Sequence, residues 1–156
     1  MPAHPLKIFA GAVLAATLSA CSSGGGGGGG ALPPGLTARM DVAGAQLDRG
    51  QALGLVNAYR GSVGVAALRS DPGLDAEAQR LALAYASSGQ PARRPPGSAA
   101  LLLSAGYSTF ADVFSGWRAS GDDARRLATP AGRAGVAVVH RDSSGYGVYW
   151  VLLLAP

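Results

Sequence analysis

Residues 45–156 encode an α+β domain in which the helices come first and the strands last. Three observations predict this. Leu74, Ala78, Leu81, Ala82 and Tyr85 recur at helical spacing, and Phe110, Val113, Phe114 and Trp117 do the same further on. Beyond Pro130 the pattern changes: 136–140 and 148–154 are rich in β-branched and aromatic residues and flank the turn cluster Asp142-Ser143-Ser144-Gly145, which makes them a hairpin. The 112 residues from 45 to the end suit one small domain with one core and are too few for two.

The chain opens on a secretory signal, residues 1–20. Met1 to Lys7 form a weakly basic start, an apolar run follows, and small residues stand at 19 and 20 where a peptidase can cut. Leu18-Ser19-Ala20-Cys21 resembles the lipobox of bacterial lipoproteins. The resemblance implies that the Cys21 thiol takes a diacylglycerol, that the bond before it is cut, and that the new amino terminus is acylated. Fatty acyl chains on Cys21 would hold the mature chain on a membrane, at about 0.8 kcal/mol per buried methylene. The apolar stretch is shorter than the ~20 residues a bilayer-spanning helix needs. Ser22 follows the cysteine where an Asp tends to retain lipoproteins in the inner membrane, so an outer-membrane location is favoured if the cell has one.

Ser22-Ser23, seven consecutive glycines from Gly24 to Gly30 and Ala31-Leu32-Pro33-Pro34-Gly35 have no apolar face to bury, so 21–44 is expected to be a flexible tether. The glycine run follows no strand, opens no helix and lacks a P-loop lysine, which excludes a phosphate loop. With the signal and its Lys7 removed, twelve arginines face nine acids, a net charge of +3 spread along the chain apart from Arg93-Arg94 and Arg125-Arg126. No basic stripe with interleaved aromatics is present, so nucleic acid is not an expected partner. One cysteine cannot close an intramolecular disulfide; core packing alone must hold the domain.

Each element has its own signal. Leu53, Val56 and Tyr59, with Leu55, line a helix over about 45–60. Asp71-Pro72 supplies a cap and a first-turn proline for the next. Ser98 and Gly106 bracket a predicted short helix over 99–105. Thr109 with Asp112 forms a capping box opening the helix of Phe110 and Trp117, and a helical turn is expected over 123–128.

In order, Leu55-Val56-Asn57-Ala58-Tyr59-Arg60, Leu68-Arg69-Ser70-Asp71-Pro72-Gly73-Leu74, Ala105-Gly106-Tyr107, Trp117-Arg118-Ala119-Ser120, Gly135-Val136-Ala137 and Tyr149-Trp150-Val151 resemble the motifs of the CAP superfamily, the SCP-like cysteine-rich secretory proteins. The resemblance covers most of 46–154 and implies an α-β-α sandwich. Members that bind a divalent cation use two His and two acids in a central cleft. Here Gln90-Pro91-Ala92-Arg93-Arg94-Pro95-Pro96 stands where one His belongs, and Asp123 where the other belongs. The strand that carries an acidic ligand should fall between Tyr107 and Trp117, a gap too short for both it and the helix before Trp117. A reduced sheet, no metal site and no cofactor are therefore expected.

Few residues remain for other chemistry. His140, the single His after the signal, could act in acid/base catalysis or stand at a strand end. Asp122-Asp123 could pair as carboxylates or start a helical turn. Tyr146, Tyr149 and Trp150 could stack on a ring, or Trp150 could belong to the core. His140, Asp123 and Tyr149 are the candidate ligand contacts. No G-x-S-x-G elbow occurs. The sequence thus points to a membrane-anchored extracytoplasmic binding or interaction module without catalysis, with an envelope protein, lipid or glycan as partner. The alternative is a hydrolase of peptide or cell-wall material that uses His140 with Asp122, Asp123 or Asp142. Convergence of His140 and a carboxylate in a pocket would raise the alternative.

Overall fold

A computed structural model describes residues 31–156. The signal, Cys21 and the glycine run lie outside the described residues. Within them the order is α1 (Pro34–Thr37), α2 (Arg49–Ser62), β1 (Arg69–Ser70), α3 (Pro72–Ser88), β2 (Ala100–Ala105), α4 (Phe110–Ala119), α5 (Gly121–Leu127), β3 (Arg133–His140) and β4 (Val148–Ala155).

Helix starts follow their caps. The Asp48 carboxylate accepts from Gln51 N–H at 2.9 Å and starts α2 at Arg49, later than the expected 45. Asp71 accepts from Gly73 and Leu74 N–H with Pro72 in the first turn, and α3 stops at Gly89, whose φ of 69° suits a residue without Cβ. Thr109 accepts from Asp112 N–H at 3.2 Å and opens α4 as its capping box predicts.

The strands form one sheet in the order β1-β3-β4-β2. β3–β4 and β4–β2 are antiparallel, and β1 pairs parallel with the start of β3. β4 is buried along its whole length because helices cover both faces of the sheet. Val148, Trp150, Leu152 and Leu154 meet Val56, Phe110, Phe114, Trp117 and Leu127 from α2, α4 and α5. Tyr149, Val151 and Leu153 meet Ala78, Leu81, Ala82 and Ala86 of α3. Alternation along one strand thus feeds two cores, and the product is a three-layer α-β-α sandwich.

Two contacts fix the register of α3 on the sheet. A Cβ at Gly135 would lie 2.1 Å from the Leu74 carbonyl carbon, so only glycine admits the backbone of α3 this close. Beyond the short β1, Val136 N–H donates to Asp75 Oδ1 at 2.9 Å and its carbonyl accepts from Arg49 Nε at 3.0 Å. These side chains occupy backbone groups that the two-residue β1 leaves open.

Three expectations need correction. The helix expected over 99–105 is strand β2, paired with β4 from Ala100 opposite Leu154 to Ala105 opposite Tyr149. With β2 the sheet has four strands, where a reduced sheet was expected. Residues 31–44 are not all tether: Leu36 and Met40 are buried in the core, and Met40 N–H donates to the Ser108 carbonyl at 2.7 Å. The folded unit accordingly runs from Ala31 to Pro156, not from 45. No helix of the described residues is long and apolar enough to cross a membrane.

Candidate functional site: a cleft beside β2

The C-terminal part of α3, the connection over 90–99, strand β2 and helix α5 flank an open cleft of about 530 Å³. Its apolar wall includes Tyr85, Pro91, Leu101 and Leu103, and its charged groups are Arg94, Arg126 and Asp123. Each arrives by local rules. Tyr85 follows the helical repeat of α3. Ser120 caps α5 by accepting from Asp123 N–H at 3.4 Å, which sets Asp123 and Arg126 one turn apart, and Arg126 Nη1 meets Asp123 Oδ1 at 2.6 Å. Arg94 Nη1 donates to the Ser98 carbonyl, while the buried Ser98 closes its own turn through Oγ to the Pro95 carbonyl at 2.6 Å. Burial, with the phenols of Tyr146 and Tyr149 beside it, pushes the Tyr85 hydroxyl above its ordinary value, so it stays protonated at neutral pH.

Of the three sequence-predicted contacts, only Asp123 lies in this cleft. His140 lines a separate groove of about 430 Å³ with Met40, Val42, Gln79, Leu83 and Asp142. There its Nε2 lies 2.9 Å from Asp142 Oδ1, the imidazole 17% and the carboxylate 87% exposed. His140 and Asp142 thus converge, whereas Asp122 and Asp123 pair with Arg125 and Arg126 on α5. The groove's lining includes no hydroxyl, thiol or cation. Tyr149 is corrected outright: it is 1% exposed, packed edge-on against Tyr85 at 4.9 Å, and presents no face to a ligand.

Arg94, Arg126 and Tyr85 were missed as site residues. Their signal is faint: two isolated arginine pairs in a chain of modest charge, one of them in the segment where metal-binding CAP members place a His.

The solved structures agree with this architecture. An outer surface protein from Borrelia burgdorferi superposes with a TM-score of 0.57 and 14% identity over 69% of this chain and 92% of that one. MpPR-1i, a pathogenesis-related protein of the CAP family, superposes with a TM-score of 0.51 and 20% identity over 69% of this chain and 87% of that one. At these identities the likeness concerns the fold, which is CAP-like. No family model and no curated protein matches the chain.

The cleft's residues do not suit the divalent cation of metal-binding CAP proteins. Its one carboxylate is engaged by Arg126, it contains no His, and β2, the strand next to α5, is Ala-Leu-Leu-Leu-Ser-Ala with no acid. Among the described residues no three His, Cys, Asp or Glu side chains gather as a ligand set. Two guanidinium groups would also repel a cation.

Proposed function

We propose that this protein is a lipoprotein, anchored through acylated Cys21 in the cell envelope, whose CAP-like domain binds a ligand in the cleft beside β2 without transforming it. The observation that carries the reading is the composition of the cleft. It is an open, partly apolar cleft with charged groups at its walls, yet it holds neither a cation ligand set nor an imidazole. Such a site can orient and retain a ligand, and its one carboxylate, Asp123, is already paired with Arg126. The likeness to an outer surface protein supports a surface location.

A second reading, hydrolysis of peptide or cell-wall material, is favoured by the contact of His140 with Asp142 in its groove. One experiment separates the two. The Cys21→Ser protein is incubated with purified envelope fragments of its host, and both co-sedimentation and release of soluble fragments are measured. Binding in the cleft predicts co-sedimentation that Ala92→Trp, which fills the cleft, reduces at least tenfold, that His140→Ala leaves unchanged, and that releases nothing. Fragment release abolished by His140→Ala would reverse the assignment.

A further inference from the structure

We propose that the cleft beside β2 is an oxyanion site, in which Arg94 and Arg126 grip a carboxylate or phosphate and Asp123 competes with that ligand for Arg126. The inference rests on the binding reading and names the chemistry of its ligand. Two guanidinium groups and one carboxylate line the cleft, so the charged lining carries an excess of one positive charge. Each arginine has commitments that leave donors over: Arg94 uses Nη1 on the Ser98 carbonyl, and Arg126 uses Nη1 on Asp123. A guanidinium has five N–H donors in a planar fork, and the fork matches the paired oxygens of a carboxylate or phosphate. Arg126 is 51% exposed, accessible to a ligand, while its partner Asp123 is 20% exposed and close to the wall.

The apolar part of the cleft strengthens the case. Tyr85, Pro91, Leu101 and Leu103 give the cleft an apolar side beside the two cations, against which the non-polar part of a ligand can pack. The small side chains Ala92, Ala99 and Ala100 leave room for the body of the ligand. The distinguishing consequence concerns Asp123. In a cation site or an acid/base site its loss would weaken function; in an oxyanion site its loss frees Arg126 and removes a repulsive charge.

The test follows the Nε–Hε signals of Arg94 and Arg126 by NMR in the full chain in detergent micelles, titrated separately with inorganic phosphate and with succinate. Both signals should shift, with affinity that falls as sodium chloride is raised. Arg94→Gln and Arg126→Gln should each weaken binding at least tenfold, as expected for loss of one charge-assisted contact. Asp123→Asn should tighten it several-fold. The tighter probe decides between a phosphate, as on a lipid headgroup or wall polymer, and a carboxylate, as on a peptide. Arg94 is exposed, so its variant keeps the experiment decisive should a substitution in α5 impair folding. Absence of shifts with both anions, or weaker binding in a folded Asp123→Asn protein, overturns the proposal. If in addition Arg94→Gln and Arg126→Gln leave envelope co-sedimentation intact while Ala92→Trp abolishes it, the oxyanion chemistry fails and the cleft remains a binding site. Co-sedimentation that survives Ala92→Trp removes both.

Discussion

Arg60 makes three side-chain hydrogen bonds from a fully buried position. It is fully buried in α2, with Nε donating to the Ala66 carbonyl at 2.9 Å and Nη1 to the carbonyls of Leu127 at 2.6 Å and Thr129 at 2.9 Å. Nη2 is buried with no partner. Burial pushes the guanidinium below its ordinary value, and the carbonyls at the end of α5 supply the negative potential that no acid provides. Truncation would strand three carbonyls and leave a void. Arg60→Ala should therefore destabilise the domain by about 3 kcal/mol or more, read as a lower urea midpoint. Arg60 also shows what a residue in a recognised motif can hide: it ends the run Leu55 to Arg60, where its exposure or burial is not legible from charge alone.

At the scale of elements, α4 illustrates a pattern that the sequence states fully. Phe110 stacks on Phe114 at 6.2 Å and lies 5.8 Å from Trp150, and Trp117 meets Phe110 edge-on at 6.2 Å with Nε1 donating to the Leu103 carbonyl at 3.4 Å. The helix thus lays its aromatic face on the hairpin. Trp117→Ala should cost about 3–5 kcal/mol in chemical denaturation, a large share of the stability of so small a domain. The start of α3 gives a pH-dependent counterpart. The Leu74 N–H first, then the Arg133 guanidinium, hold the Asp71 carboxyl below its usual 3.8. Because the folded-state value is depressed, this stabilisation is complete above the unfolded-state value and disappears as pH falls through the folded one. Asp71→Asn should lower the melting temperature at pH 7, and the gap to wild type should close on acidification below about pH 4. A constant gap across that range would mean that the charge of Asp71 contributes nothing.

For the whole molecule, the lipoprotein proposal predicts that attachment and folding are separable. The sulfur of Cys21 is the atom to be acylated under the lipoprotein proposal, while the folded unit starts at Ala31. Cys21→Ser should abolish lipid labelling and leave an uncut precursor or a soluble form, with the melting temperature of the domain unchanged. Equal membrane partition of wild type and variant on fractionation would remove the anchor. The α-β-α sandwich itself needs no disulfide, since both faces of β4 are sealed by helices.

Local chemistry decided much of this protein by sequence alone. Asp71-Pro72 and Thr109 with Asp112 set helix starts because a cap acts on backbone groups two or three residues away, and the amphipathic spacing of α3 and α4 selects their buried faces. The hairpin was legible for the same reason: both strands and their turn are contiguous. What required tertiary structure was every feature made by partners distant in sequence. Ala100 to Ala105 is a short, mostly apolar segment with no decisive period, and it is a strand only because β4 offers it a ladder. Leu36 and Met40 look like linker residues until α2, α4 and the 107–109 turn enclose them. The cleft arises likewise from α3, β2 and α5 together, and Arg94 and Arg126, thirty-two positions apart, come to line it only because the fold brings their segments to the same cleft.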